Sequence, residues 1–276
     1  MEIRTEAVAE DSSSQPSRER RTRRQLLTAG AVTAAGAAGA AGGYVLHAKR
    51  PRWRNPAAEA IPEFARHAAL IRQRQSSQTL ETVASLRRKY QDPVFGKARV
   101  WDMIEKLGLC IDPSDDSLML TSQHLHVQQI LEGMERDGVG DRDLLLIALL
   151  HDIGKVMMLA GEVPEHVVGY IHPMGEPAHG VGLDQVMFQF GHDEFAYSRL
   201  KDHVPSHIAW TIRYHSAMTG AIRPFCSPSE QAVLDNYHAR FQPYDLARKS
   251  YSHLPRVNLA KYRALIEDTF PQPILF

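Results

Sequence analysis

The chain is poor in cysteine and carries no excess of charge. Only two cysteines, Cys110 and Cys226, occur in 276 residues, and they lack the spacing of a zinc ribbon, so neither a disulfide framework nor cysteine-held zinc is expected. Lys plus Arg and Asp plus Glu both number 32, which gives a formal net charge of zero. Because nucleic-acid binding needs a basic field, we expect no nucleic-acid partner.

Alternation of polar and apolar residues is almost absent, and strands are therefore not expected. Apolar residues instead recur at helical spacing between clusters of proline and glycine, which predicts an all-α fold. The predicted helices cover residues 57–91, 94–108, 121–137, 141–153, 181–190, 192–203, 205–216, 228–238 and 256–269.

The N-terminal fifth of the chain differs from the rest in composition. Residues 1–24 are rich in Ser, Glu and Arg and are expected to be disordered. Arg23-Arg24 then precedes an Ala- and Gly-rich, weakly apolar run over residues 25–48, as in a twin-arginine export signal or a membrane anchor. We expect the twin-arginine machinery as a partner and an exported location, with a cytoplasmic one as the alternative. Residues 55–276 are long enough for one catalytic domain, expected to be a monomer.

Histidine is abundant, with 14 copies, and one copy stands out. His151-Asp152 directly follows seven apolar residues, Leu144 to Leu150, and Lys155 comes three residues later. An imidazole and a carboxylate at the end of a buried helix need partners. A bound metal ion supplies them, and a hydrogen-bonded core histidine is the alternative.

Other segments offer further ligands. His124 shares a helical stripe with Val127 and Leu131, so it is expected to face inward, whereas His126 lies off that stripe and is expected to be exposed. The candidate ligands, on at least four predicted helices, are His124, His151, Asp152, His192, His215 and Asp245. Such a set is typical of a two-metal site in a helical bundle.

Several motifs carry a resemblance to a known family. HDIGK resembles the HD-domain superfamily, and GHDEFAYSRLK, IRYHS and YDLARK are similar to the corresponding stretches of the myo-inositol oxygenases. The similarity runs from about Gln75 to the C-terminus. It implies an HD-domain helical bundle around a dinuclear metal site.

The resemblance also implies a mixed-valent di-iron centre. The ligands implied for one iron are His124, His151, Asp152 and Asp245. Asp152 would bridge to a second iron, held also by His192 and His215.

The reaction implied is the dioxygen-dependent cleavage of myo-inositol, or of a related cyclitol or polyol, to D-glucuronate in inositol catabolism. Lys155 would orient the substrate diol and stabilise its alkoxide, acting as a catalytic residue. Ser216, Lys249, Asp112 and Ser114 would also contact the substrate.

One region departs from the family pattern. The segment VVGYIHPMGEPAHGVGLDQV is shorter than its counterpart, and Tyr170 stands where the family has an aspartate that contacts inositol. Two other functions are therefore kept open, an HD-type metal-dependent phosphohydrolase and a non-catalytic exported binding module. The few basic residues near the motifs disfavour a phosphate substrate.

The twin arginines make a direct prediction about export. Residues 1–55, fused to a reporter that is active only outside the cytoplasm, should give a signal that a double Arg23→Lys, Arg24→Lys variant abolishes. Equal reporter activity in the double variant would exclude this route.

Overall fold

The computed structural model describes residues 56–276, so the proposed disordered segment and export signal lie outside the described residues. Residues Ala57–Phe276 form one compact unit. Its α-helices are α1 (Pro56–Ser76), α2 (Leu80–Lys89), α3 (Val100–Leu107), α4 (Gln123–Arg136), α5 (Arg142–Leu150), α6 (His192–Leu200), α7 (Ser206–Tyr214), α8 (Thr219–Ile222), α9 (Pro228–Val233), α10 (Ala239–Ala247) and α11 (Arg263–Thr269). In residues 56–276, no helix combines the length and apolar character needed to cross a bilayer.

Shorter elements connect these helices. The 3-10 helices are Ile153–Ala160, Pro164–His166, Leu183–Gln185, Arg223–Phe225 and Leu259–Tyr262, and Leu234–His238 forms a π-helical segment. The two strands, β1 (Lys97–Ala98) and β2 (Ile274–Leu275), pair antiparallel and tie the C-terminus to the segment before α3. The predicted all-α fold is confirmed.

Helix α5 lies at the centre of the domain. Its first turn is capped by Asp141, whose side chain accepts hydrogen bonds from the backbone N–H groups of Asp143 and Leu144. The apolar run that follows is buried except at Leu145, which is half-buried, and α5 packs against α4, α7 and α10. The chain then tightens into the 3-10 helix Ile153–Ala160, which packs against α3 and α6. Residues just after α5 are therefore enclosed by several helices.

The prediction of a single helix over 57–91 is wrong, because helical geometry is interrupted between α1 and α2. Thr79 caps the new helix by accepting a hydrogen bond from the backbone N–H of Thr82. Gln78 leaves helical geometry, and its side chain bonds both the N–H and the carbonyl of Phe190, at 2.8 and 2.9 Å. These long-range bonds to a distant segment have no signature in local periodicity.

The helix predicted over 181–190 is also wrong. Only Leu183–Gln185 forms a 3-10 turn, and Phe188 then pairs with Pro173 in an isolated antiparallel bridge. Gly182 has φ of +90°, a left-handed value that ends helical geometry. The N–H of Leu183 donates to the carboxylate of Glu230 instead of continuing a helix.

The helix predicted over 228–238 is longer than expected. Helices α9 and α10 are joined without interruption by the π segment and end at Ala247. Pro243 lies inside α10 without ending it. Asp245 is therefore held in a helix rather than in a loop.

Gly154 permits a close approach of two segments. A Cβ atom at this position would lie 2.0 Å from the carbonyl oxygen of His192 and 2.9 Å from its Cα atom. Both contacts are to backbone, which cannot rotate away. The start of α6 can therefore pack against the 3-10 helix only if residue 154 is glycine.

Gly154→Ala should consequently displace the start of α6 and destabilise the protein by roughly 1–3 kcal/mol, the usual cost of overpacking a core. Gly140→Ala is the matched control, since a Cβ there meets no atom within 4 Å. Urea unfolding of both variants measures the difference. Equal free energies of unfolding in the two variants would contradict the proposed contact.

Candidate metal centre

Asp152 lies at the middle of a buried cluster of histidines. Its Oδ1 atom is 3.1 Å from Nε2 of His192 and 3.6 Å from Nε2 of His215. Its Oδ2 atom is 3.3 Å from Nε2 of His151 and 3.6 Å from Nε2 of His126. The two oxygens of one carboxylate thus face two different pairs of histidines.

Asp245 completes one side of the cluster. Its Oδ1 atom lies 2.9 Å from Nε2 of His126 and 3.9 Å from Nε2 of His151. We call His126, His151 and Asp245 the first half of the site, and His192 with His215 the second half. Overlapping groups of ligand atoms across both halves lie close enough together to hold metal ions.

Three of the histidines have a fixed orientation, because each Nδ1 atom bonds to a backbone carbonyl. The pairs are His151 with Ala148 at 3.0 Å, His192 with Val167 at 2.6 Å, and His215 with Ile212 at 2.8 Å. A carbonyl can only accept, so in these histidines Nδ1 carries the proton. Nε2 of the neutral ring then presents a lone pair towards Asp152.

In each half of the site, two histidine Nε2 atoms face one another. The Nε2 atoms of His192 and His215 are 3.2 Å apart, and those of His126 and His151 are 3.3 Å apart. Ligands about 2.1 Å from a shared metal ion are separated by about 3 Å at right angles. Burial and the positive charge of Lys249 lower the pKa of His126 to about 4, which keeps its ring neutral, as a ligand must be. The donor set therefore fits metal ions.

Helix ends position most of these ligands. His151 and His215 each follow the last residue of a helix, α5 and α7 respectively, and each bonds through Nδ1 to the carbonyl three residues earlier. Carbonyls in the last turn of a helix lack intrahelical donors, so one contact satisfies the helix end and orients the ligand. His192 is the first residue of α6.

The prediction that His124 is a ligand is wrong. Its Nε2 atom is 2.6 Å from the carbonyl of Ile104, and its ring packs where Gly108 leaves room for it. His126, expected to be exposed, is fully buried and takes the place in the first half. Two residues along a helix differ by roughly 200° in direction, and α4 is buried on both of these sides.

A second stripe on α4 carried the signal for His126. His126, Ile130 and Gly133 are spaced by four and three residues and are all buried, so they form an inward face beside the one that contains Val127. The stripe that contains Val127 and Leu131 has more bulky apolar residues, and the second one ends in a glycine. This difference made the first stripe more conspicuous.

Asp193 was also missed, although it directly follows His192. It is buried, and its Oδ1 atom accepts from the N–H of Ser216 at 3.3 Å and lies 3.0 Å from Nδ1 of His215. Its Oδ2 atom is 3.6 Å from Nδ1 of His192. Asp193 thus contacts the Nδ1 side of both histidines of the second half, as outer carboxylates do in metal sites.

A cavity of about 360 Å³ opens onto the second half of the site and Asp245. All five residues expected to contact substrate line it, namely Lys155, Ser216, Lys249, Asp112 and Ser114. Its remaining walls include Arg72, Asp115, Tyr170, Met218 and Leu246. The structure therefore places these predicted residues in one enclosure with four of the six predicted ligands, Asp152, His192, His215 and Asp245.

Lys155 is buried and uses its ammonium group to link three side chains. Its Nζ atom is 2.9 Å from Asp112, 3.0 Å from Asp152 and 3.0 Å from Oε1 of Gln123. Burial alone would lower the pKa of Lys155, but the carboxylates of Asp112 and Asp152 outweigh it and raise the pKa above its ordinary value. Lys155 is therefore charged, and Gln123 is a further partner that the sequence did not reveal.

The other cations of the cavity are paired as well. Lys249 lies 3.1 Å from Asp115 and 3.4 Å from Asp245. Arg72 lies 3.7 Å from Asp116 and donates to the backbone carbonyl of Ser114. In the part of the chain that the structure describes, every Lys and Arg that lines the cavity thus has a carboxylate partner.

A helical domain with histidines and aspartates converging on one buried carboxylate defines an all-α metal-binding protein. The family model for myo-inositol oxygenase matches residues 65–178 and 165–276. The chain therefore belongs to the myo-inositol oxygenase family, whose members are oxidoreductases.

Individual relatives agree with the family model. A probable inositol oxygenase of Oryza sativa subsp. japonica is 29% identical over 238 residues, which cover 71% of this chain and 76% of the relative. The inositol oxygenase of Danio rerio is 28% identical over 70% of this chain and 83% of its own length. The inositol oxygenase of Bos taurus is 29% identical over 70% of this chain and 81% of its own length.

The position of His126 predicts different effects for two neighbouring histidines. His126→Ala should weaken metal binding by more than about 100-fold, since losing even an outer partner costs 10- to 100-fold. His124→Ala, two residues away on the same helix, should retain the metal content of the unmodified protein. Elemental analysis after anaerobic reconstitution measures both. Metal loss in the His124 variant alone would contradict the assignment.

Proposed function

We propose that the protein is a di-iron oxygenase that uses dioxygen to cleave the ring of myo-inositol to D-glucuronate. The observation that carries this proposal is the position of Asp152, whose two oxygens each face one half of the site. Asp152 would then help to hold a metal in each half of the site. Imidazole and carboxylate ligands without thiolate suit iron better than structural zinc.

The number of ligands leaves room for substrates. Five protein residues and one bridging carboxylate belong to two metals, so coordination positions remain open, as catalytic sites require. We propose a mixed-valent iron pair, which when bound would supply a Lewis acid for the substrate diol and electrons for dioxygen. The cavity leads to the second half, where the diol would bind.

Lys155 would position the diol. Its three N–H donors are all engaged, by Asp112, Asp152 and Gln123. With Asp152 among the residues that would hold the metals, Lys155 could turn one of these donors to a substrate hydroxyl. The ammonium group would then stabilise negative charge on the substrate oxygen, while Asp112 holds it in place.

Ser216 offers a second contact to the diol. It is mostly buried and lines the cavity beside His215, and its Oγ atom has no hydrogen-bond partner among the described residues. A buried hydroxyl without a partner is costly, and a substrate hydroxyl would supply the missing bond.

The pairing of the cations favours a neutral polyol over a phosphate ester. A phosphate needs cationic side chains that are free to meet its charge. Lys155 and Lys249 each lie between two carboxylates, and Arg72 pairs with Asp116. The phosphohydrolase alternative is therefore supported by the metal ligands but not by the cationic side chains of the cavity.

We also propose that the protein is exported as a folded monomer by the twin-arginine route. Arg23-Arg24 and the apolar run over residues 25–48 support this proposal. A route that carries folded proteins would let metal be loaded before export.

The proposed reaction can be tested directly. After anaerobic iron loading, myo-inositol and dioxygen should be consumed in equal amounts, and mass spectrometry should detect one glucuronate per dioxygen. Phosphate release from nucleotides without any need for dioxygen would instead establish a hydrolase.

Two lysine variants distinguish an effect on turnover from an effect on metal binding in the same assay. Lys155→Ala should keep its iron but lose at least about 100-fold in turnover, a typical loss when a positioned charge is removed. Lys106→Ala, at an exposed position, is the control and should behave as the unmodified protein. Full turnover in the Lys155 variant would contradict its proposed role.

A further inference from the structure

One face of helix α10 and of the π segment before it carries a metal-site residue and two buried polar side chains that are not ligands. His238, Gln242 and Asp245 are spaced by four and three residues, so they lie on the same face. All three are buried. Asp245 belongs to the first half of the site, whereas the other two contact a different part of the chain.

His238 and Gln242 both bind the segment that follows α7. Nε2 of His238 is 2.8 Å from the carbonyl of Tyr214, and because a carbonyl only accepts, Nε2 carries the proton and donates. Nε2 of Gln242 donates to the carbonyl of Ala217 at 3.0 Å. These two carbonyls lie on either side of His215-Ser216, which supplies a ligand and a cavity hydroxyl.

Thr219 adds a third attachment of the same segment. Its backbone N–H donates to Oε1 of Gln242 at 3.2 Å, and its hydroxyl donates to the same oxygen at 2.8 Å. The hydroxyl also lies 3.1 Å from Nδ1 of His238. Gln242 therefore donates to one end of this segment and accepts from the other, so the segment is fixed at several points.

These bonds determine where His215 lies, and not only how its ring is turned. Nδ1 of His215 bonds to the carbonyl of Ile212, but that carbonyl belongs to α7 and moves with it. The bonds from His238 and Gln242 instead tie the end of α7 to the helix that carries Asp245. Since a metal site needs its ligands held to within roughly 0.5 Å, this face sets the distance between the two halves of the site.

We propose that His238 and Gln242 are positioning residues, which hold His215 and Ser216 in place at the second half of the metal centre. This inference rests on the two-metal centre proposed above. Without these donors, the end of α7 is free to shift away from the second half. The second metal then binds less tightly, while the first half keeps all of its ligands.

The test is an anaerobic titration of the full chain with Fe(II). The unmodified protein should bind two irons, whereas His238→Leu should bind one iron with unchanged affinity and the other about 10- to 100-fold more weakly, the usual loss when an outer partner is removed. His238→Gln keeps an N–H donor near the position of Nε2 and should restore the second site. Gln242→Glu, whose carboxylate cannot donate to the Ala217 carbonyl, should behave as His238→Leu does.

Thr211→Val is the matched control. Thr211 is fully buried on α7, and its hydroxyl donates to the carbonyl of His207 within the same helix at 2.7 Å. The variant therefore loses one buried hydrogen bond of α7 and should still bind both irons with unchanged affinity.

Three outcomes would overturn this inference alone: two tightly bound irons in His238→Leu, no restoration of the second site by His238→Gln, or an equal loss in Thr211→Val. An unmodified protein that binds one iron or none would overturn the proposed two-metal centre with it.

Discussion

The arrangement of this domain depends on one buried carboxylate that faces two sets of ligands. Asp152 is 2% exposed, and leaving such a charge without cationic partners in the core would be strongly destabilising. Lys155 supplies one positive charge, and metal ions between the histidine pairs would supply more. The charge and position of Asp152 therefore explain why so many polar side chains converge at the centre of an apolar bundle.

The ligands around Asp152 come together because three helices begin or end there. Helix α5 ends at the carboxylate, α7 ends beside it, and α6 starts there. Each of these points supplies a histidine whose Nδ1 atom is held by a backbone carbonyl. Gly154 allows α6 to approach the backbone closely enough for this meeting. Rigid helices thus orient the ligands before any metal binds, which is the preorganisation that catalysis needs.

Much of this site could be predicted from the sequence. His151 and Asp152 follow a buried apolar run, and burying an imidazole and a carboxylate is costly unless partners such as a metal ion satisfy them. Asp245 lies outside the predicted helices, and its place among the ligands is best supported by the family resemblance, because its helix continues through a π segment that periodicity does not reveal. The more apolar stripe of α4 favours His124 over His126, whereas the helix is buried on two sides. The break at Gln78 and the irregular path near Leu183 depend on bonds to distant residues, which local sequence cannot show.

We propose that one carboxylate, Asp152, holds both metals, and anaerobic iron titration of Asp152→Asn tests this most directly. Asparagine keeps the shape of the side chain but cannot supply a second negative oxygen. The unmodified protein should bind two irons per chain, and the variant should lose both while its helix content by circular dichroism stays the same. A variant that retains one tightly bound iron would contradict the claim.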